Sequence, residues 1–180
     1  KKKIIKLESI SSNIDLKTFI NKKFSLSELD ITTRTIEIKN LISFIRSIED
    51  SPQIFILEKF VKKGYLIADI NLKFDQKGNI KDDFIIKGFV KDGEIKPFKK
   101  IDLSKINFIF NIQNNKFEFK DINLSYDNND LKFPELNLTK QKNGFLVSGK
   151  NKSQNLVLDD KKINQLLDKD LFNVKIVSAE

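Results

Sequence analysis

The sequence predicts a mainly β fold, an antiparallel meander that forms a curved, groove-like, repetitive sheet with one or two capping helices. Two observations predict it: a recurring eight-residue repeat, and strand-like segments that start about every ten to fifteen residues and are joined by tight turns. The repeat is apolar at positions 1 and 3, acidic at position 5 and apolar at positions 6 and 8. It occurs four times, whereas the composition predicts roughly half a match by chance. The copies are Phe24–Ile31, Tyr65–Leu72, Phe117–Leu124 and Leu131–Leu138.

The apolar residues alternate at odd positions before the acid of the repeat and at even positions after it, a shift of one residue. In a strand, such a shift moves the apolar side chains to the other face. We therefore expect each copy to be one long, bent strand that either contains a β-bulge at the acid or crosses to a region where its other face is covered.

The segment before residue 65 combines strands with helices. Ile4, Ile5 and Leu7 favour an opening strand, and 15–21 fits a short helix or a second strand. Helical spacing of Ile38, Leu41, Ile42, Ile45 and Ile48 predicts an amphipathic helix over Ile36–Glu49. Hydroxyl N-caps for it stand in Thr32–Thr35, and Ser51-Pro52 ends it. Gln53–Lys63 is a second helix or a strand, closed by Gly64.

From Tyr65 to Lys150 the pattern is β throughout. Turns are predicted at 75–79, at the hairpin signal Asp92-Gly93, and at 114–115, 127–130 and 143–144. Pro97 should interrupt the chain between strands, and Pro134 should lie at a bulge or on an edge. After residue 150, a helix over Asp160–Leu167 precedes a closing strand with Phe172, Val174 and Ile176.

These patterns divide the chain into three parts. Residues 1–64 form an N-terminal strand and helix segment that packs on the sheet, 65–150 form the meander, and 151–180 add a short helix and a closing strand. Because the chain does not begin with Met, we expect it to be one structural unit excerpted from a longer protein, with any signal peptide or anchor upstream. No apolar run approaches the ~18 residues of a membrane span.

Composition argues against most catalytic chemistry. With no His and no Cys, the commonest general base, the thiol nucleophile and the usual zinc ligands are missing. The carboxylate pairs Asp82-Asp83, Asp159-Asp160 and Glu49-Asp50 fit turns and helix caps better than general acid–base sites. Gly144–Lys150 matches a P-loop up to Asn151, where Ser or Thr is required, and it alternates as a strand does. We expect no enzymatic activity, no cofactor and no metal.

The charged residues bear on two possible binding functions, of nucleic acid and of calcium. The net charge is +8, yet all but two of the 33 basic residues are lysine, the exceptions being Arg34 and Arg46. Nucleic-acid binders favour arginine for bidentate contacts, so we expect no nucleic acid. The acids of the repeat (Glu28, Asp69, Asp121, Glu135) stand one to a strand, too few per site for calcium.

Three stretches resemble the AsmA-like family of bacterial envelope proteins (the TamB–YhdP type), which is related to the bridge-like lipid-transfer superfamily of repeating β-grooves. They are Tyr65–Ile80, Phe84–Ile95 and Phe117–Leu124. The resemblance implies a periplasmic protein of a Gram-negative bacterium, anchored in the inner membrane by a segment outside this chain. It also implies phospholipid transfer between the inner and outer membranes in support of outer-membrane biogenesis.

An open groove would present an apolar face to phospholipid acyl chains. The candidate residues for that face are Leu66, Ala68, Ile70, Leu72, Phe84, Ile86, Val90, Phe108, Phe110, Ile122 and Leu124. Two alternatives remain at this point. A structural or adhesive β-solenoid without lipid cargo predicts a closed, dry core, and a basic nucleic-acid-binding β domain predicts aromatics among lysines on one exposed face.

Overall fold

Nine antiparallel strands form one open sheet, and two helices stand between its early strands, which confirms the predicted fold class. The structure, a computed structural model, describes residues 6–14, 26–47, 51–75, 77–98, 101–126, 129–142 and 144–150. The predictions for 15–21, 160–167 and 172–176 lie outside these residues.

The strands follow one another as neighbours. They are β1 Leu7–Ile14, β2 Leu26–Thr33, β3 Ile36–Glu37, β4 Val61–Lys73, β5 Ile85–Phe98, β6 Ile101–Gln113, β7 Lys116–Tyr126, β8 Asn129–Gln141 and β9 Gly144–Lys150. The helices are α1 Ile38–Arg46 and α2 Pro52–Phe60. The sheet order is β1-β2-β4-β5-β6-β7-β8-β9, and the two-residue β3 pairs with β4. From β4 onward each strand pairs with the next one in the chain, as in a meander.

The boundary predicted at residue 65 is wrong. Strand β4 begins at Val61, directly after α2, so that Gly64 lies inside the strand and does not close a helix. The N-terminal strands extend the sheet instead of packing on it, because β2 pairs with β4 along Glu28–Thr32. The apolar positions of β2 continue those of β4, which makes pairing at the edge the better way to bury them.

A helix is present where it was predicted, but it begins two residues later than expected. The first two residues of the predicted range form β3, and α1 begins at Ile38. Its N-cap is Glu37, which makes no side-chain capping bond. The hydroxyl of Thr33 is used elsewhere, since it accepts a hydrogen bond from the Ala68 N–H at 2.9 Å. Ser51 does cap a helix: its hydroxyl accepts from the Ile54 N–H at the start of α2.

Both helices pack on the early strands of the sheet. Their sheet contacts are with β3, β4 and β5. Ile42 is only 3% exposed, and the Ile38 δ-methyl lies 3.0 Å from where a Cβ on Gly64 would stand. Arg46 of α1 forms an ion pair with Glu58 of α2, which joins the two helices. Of the apolar residues predicted for this face of α1, Ile42 is buried, Ile38, Leu41 and Ile45 are half-buried, and Ile48 lies outside the described residues.

Two predicted breaks are absent. Strand β5 runs through Asp92-Gly93 and through Pro97 without interruption. Asp92 has a φ of 52°, and the register between β5 and its neighbours shifts there. The Asp-Gly pair thus forms a bulge and not a hairpin turn. Glycine is required at position 93 because a Cβ would meet the side chain and carbonyl of Ile106 at 3.0 and 3.2 Å.

Three bulges stand on neighbouring strands. Asp92 of β5, Lys105 of β6 and Asp121 of β7 each have a φ near 50°, and the residue after each is buried. Asparagines stabilise this arrangement. Asn107 donates to the Lys105 carbonyl at 2.7 Å and accepts from the Asp92 N–H at 3.1 Å. Asn123 donates to the Asp121 carbonyl at 2.9 Å.

Replacing Asn107 by Ala should lower the free energy of unfolding by about 1.5 kcal/mol, because it removes two bonds at bulge backbone groups. Asn123→Ala removes one such bond and should cost about half as much. Gln113→Ala, exposed on the same strand as Asn107, should stay within about 0.3 kcal/mol of wild type. Urea unfolding measures all three. Equal values for Asn107→Ala and Gln113→Ala would contradict the bulge role of Asn107.

The described residues of all four copies of the repeat lie in strands, but their acids are not equivalent. In β7 the expected bulge occurs: Asp121 and Ile122 together face Phe108. In β4 the ladder to β5 is unbroken from Tyr65 to Asn71. The apolar residues before and after Asp69 therefore lie on opposite faces of β4. Of the two predicted ways of absorbing the frame shift, the bulge occurs in β7. Strand β4 keeps its register, and Tyr65 on its other face is 45% exposed and not covered.

Candidate functional site

A row of apolar side chains crosses the whole sheet on one face. One residue from each of eight strands pairs with the next: Ile10, Ile31, Ile70, Ile86, Ile112, Phe117, Leu138 and Val147. Paired residues on neighbouring strands point to the same face, so these eight side chains are contiguous. We call them the apolar row.

A second row of paired residues lies one position from the apolar row along each strand, and it is polar. They are Ser9, Thr32, Asp69, Lys87, Asn111, Glu118, Asn137 and Ser148, all polar. Because successive residues of a strand alternate between faces, this polar row lies on the other side of the sheet. Within it, Asn111 donates to Glu118 at 2.9 Å, and the same asparagine's Oδ1 is buried without a partner. The sheet therefore has one apolar and one largely polar face.

The structure brings eight of the eleven predicted residues together on the apolar face by direct pairing. Leu66 pairs with Val90 and Val90 with Phe108, Gly88 joins Ala68 to Phe110, and Ile70 and Ile86 belong to the apolar row. Leu72 pairs with Leu29 of β2. Phe84 precedes β5 and lies outside the ladder.

Ile122 and Leu124 reach the same face through the bulge at Asp121. They pair with Phe133 and Leu131 of β8. Asp121 borders a surface depression of about 410 Å³ together with Phe89 and Ile109, which belong to the other face. The bulge thus turns the carboxylate of Asp121 toward the polar face and leaves Ile122 on the apolar one.

Six residues of the apolar row were not predicted as candidates: Ile10, Ile31, Ile112, Phe117, Leu138 and Val147. Their alternation was visible in the sequence, but the face they share is set by cross-strand pairing. Aromatic contacts add to the row. Phe108 lies edge-on to Phe119 with ring centroids 5.6 Å apart, and Phe117 to Phe145 at 6.1 Å.

The apolar face is half-buried. Ala68, Phe110 and Ile122 are 3%, 7% and 8% exposed, whereas the other predicted residues lie in the intermediate range. Among the residues that the structure describes, no large side chain is less than 2% exposed. In the described part of the chain, the main contacts between helices and sheet are with the early strands β3, β4 and β5.

A smaller apolar patch lies on the polar face. Tyr65, Phe89 and Ile109 are 45%, 41% and 51% exposed, and Ile67 joins them through its pairing with Phe89. Lysines flank the patch at 87 and 91, and carboxylates interrupt it at 69, 92 and 121. Aromatics among lysines, the combination that nucleic-acid binding predicts, occur in this small, mixed-charge area and at Phe55, which is 43% exposed beside Lys59.

The carboxylates have structural partners. Asp83 forms an ion pair with Lys73 at 3.0 Å, and this hydrogen bond lowers the pKa of the Asp83 carboxyl, the opposite of what a general acid needs. Asp75 accepts from the N–H groups of Lys77 and Asn79 within its own turn, and the side-chain and backbone bonds from Asn79 lower its pKa. The pairs at 159–160 and 49–50 lie outside the described residues.

Two of the four acids of the repeat accept hydrogen bonds from asparagines. Glu28 accepts from Asn13 and Asn71 at 2.8 and 2.7 Å, and Asn71 chiefly lowers the pKa of the Glu28 carboxyl. Glu135 accepts from Asn137 at 2.9 Å. No group of three potential metal ligands occurs in the described part of the chain. The P-loop-like residues Gly144–Lys150 are strand β9.

Helices long and apolar enough to cross a bilayer are absent from the described ranges. Comparisons of the chain with protein families, with curated proteins and with solved structures gave no match. The feature that bears on function is therefore the open sheet itself, which carries the apolar row across one face.

Proposed function

We propose that the apolar face of the sheet binds phospholipid acyl chains and that the protein is a non-catalytic segment of an AsmA-like envelope protein. It would act in the periplasm, anchored in the inner membrane by a segment outside this chain, and transfer phospholipid between the two membranes. The observation that carries the proposal is the apolar row, which continues across eight strands without a polar residue.

The dimensions and energetics of the row suit an acyl chain. Eight strands at the usual spacing span roughly 34 Å. Each methylene removed from water there contributes about 0.8 kcal/mol, so an acyl chain binds without a shaped pocket. Contiguous apolar surface of this extent usually has a ligand or partner. Lysines at the rim of the sheet would hold headgroup phosphates as point charges, without reading headgroup identity.

The partial burial of the row favours a lipid groove over a purely structural solenoid. A solenoid without cargo predicts a closed, dry core of fully buried side chains. Here the row residues from β2 to β8 are half-buried, and those in β1 and β9 are each 58% exposed. Side chains that are only half-buried still have apolar surface in contact with water, and a bound lipid would cover it.

Site-specific photo-crosslinking tests the proposal. A photoreactive residue at Ile86 or Ile112 should capture lipid from vesicles of phosphatidylethanolamine and phosphatidylglycerol, detected by mass spectrometry after extraction. The matched controls are Lys87 and Asn111, the next residues along or back on the same strands but on the polar face. Lipid adducts should be at least tenfold more abundant at the apolar positions.

A charge in the row gives a second readout. Ile112→Glu should reduce capture at Ile86 by at least tenfold, since a carboxylate there must be desolvated beside the acyl chain. Asn111→Glu should leave it within twofold. Absence of adducts at both apolar positions, or equal adducts on both faces, would overturn the lipid assignment and leave the structural module as the better explanation.

A further inference from the structure

The two edge strands of the sheet are exposed. Among the residues that the structure describes, β1 and β9 each pair on one side only, and every residue of both strands is exposed. Phe145, Leu146 and Val147 are 56%, 53% and 58% exposed, and Ile10 on the other edge is 58% exposed. An edge of this kind offers a row of backbone N–H and C=O groups to another strand.

The usual devices against edge pairing are scarce in both strands. Natural edges carry inward charges, prolines or bulges. Strand β9 has one charged residue, Lys150, and strand β1 has one, Glu8; neither strand contains proline. Strand β1 has a register shift at each end, and Ser9–Asn13 between them pair regularly with β2. These edges are suited to accept a strand.

The number of strands determines which partner fits. Eight strands lie along the sheet order, and each is antiparallel to the next. With an even number, β9 runs antiparallel to β1. A second copy moved sideways without turning over would therefore place its β1 antiparallel to the first copy's β9, with the apolar faces on the same side.

The apolar row and the charges fit the same joint. Ile10 and Val147 are the two ends of the row, so the joint would set Val147 of one copy beside Ile10 of the next. It also brings the start of β1, with Glu8, beside the end of β9, with Lys150. Pairing of β9 with β9, or of β1 with β1, gives neither charge an opposite neighbour.

We infer that copies of this chain associate head to tail by pairing β9 of one with β1 of the next, which extends the sheet and its apolar face. The contact is heterologous, so it can repeat from one copy to the next. It is independent of lipid binding, since it rests on the edges and on strand direction. If the proposed function also holds, the joint would lengthen the groove.

Disulfide trapping tests the joint directly, because the chain has no cysteine. The double variant Ile10→Cys/Val147→Cys should form, on mild oxidation without lipid, a ladder of multiples of 20.9 kDa that reduction removes. Each single variant alone should remain monomeric, and a mixture of the two should stop at the dimer. In the mixture, each chain has only one cysteine to react.

Other disulfide products would show that the edge strands form a different contact, and they would overturn the inference. A dimer from Val147→Cys alone indicates a two-fold joint of β9 with β9, and one from Ile10→Cys alone a joint of β1 with β1. No product in any variant means that the edges do not meet another copy. Sedimentation gives an independent check: association should be lost in Val147→Lys but remain within twofold in Ser148→Lys, whose side chain is on the polar face.

Discussion

Replacing Ile42 by Asp is expected to lower the free energy of unfolding by about 4 kcal/mol, a large part of the total stability of a domain of this size. Ile42 is 3% exposed in α1, which packs on β3, β4 and α2. The substitution removes the apolar contact and leaves a carboxylate without a partner in an apolar environment. Urea unfolding followed by circular dichroism measures the change.

The same acid on the solvent side of the helix is the control. Lys39 is exposed in the first turn of α1, where a negative charge interacts favourably with the helix dipole. Lys39→Asp should therefore leave stability unchanged within about 0.5 kcal/mol. If Ile42→Asp does not fold, Ile42→Val should still show a loss of about 1 kcal/mol. Wild-type stability for Ile42→Asp would contradict the packing of α1.

The β fold and its apolar face were predictable because they depend on local alternation. Strands such as β4 and β6 carry alternating apolar residues that fit half-buried strands wherever they lie in the sheet. Consecutive strands joined by short turns then favour an antiparallel meander. This is why eight predicted residues, from Leu66 to Phe110, lie on one face by direct pairing.

The bulges were not predictable from local sequence. Asp69-Ile70-Asn71 and Asp121-Ile122-Asn123 are the same tripeptide, yet only the second contains a left-handed residue and a register shift. What differs is the neighbour. Asn71 uses its amide to bind Glu28 and Asp30 of β2, whereas Asn123 binds the bulge carbonyl of its own strand.

At Asp92-Gly93, too, the local sequence could not distinguish a turn from a bulge. This dipeptide favours a hairpin because both residues tolerate positive φ, and a bulge needs the same property. The close approach of Gly93 to Ile106 and Gly64 decides between them, and that contact joins residues far apart in the sequence.

Replacing Gly88 by Ala is expected to destabilise the protein by about 3 kcal/mol, although glycine in a strand is usually the weaker residue. Gly88 lies between Ala68 and Phe110 on the apolar face. A Cβ there would contact the Ile67 carbonyl, stand 2.8 Å from Cζ of Phe110 and 3.0 Å from the Ala68 Cα. The first and last of these are backbone atoms of a central strand, which cannot move without breaking the ladder.

The Phe110 ring explains why glycine is needed at this position. Phe110 is 7% exposed because its ring covers the backbone of Gly88, an arrangement that protects a glycine in a sheet. Gly149→Ala is the matched control. It lies in edge strand β9, where a Cβ would be 2.7 Å from the Glu135 carbonyl and 3.1 Å from the Leu136 δ-methyl.

Because β9 pairs on one side only within the described residues, it can shift, so Gly149→Ala should cost less than about 1 kcal/mol. Denaturant midpoints for the two variants give the comparison. Gly88→Ala with a midpoint at or above wild type would show that the ring does not cover Gly88. The packing across the centre of the apolar face would then be wrong.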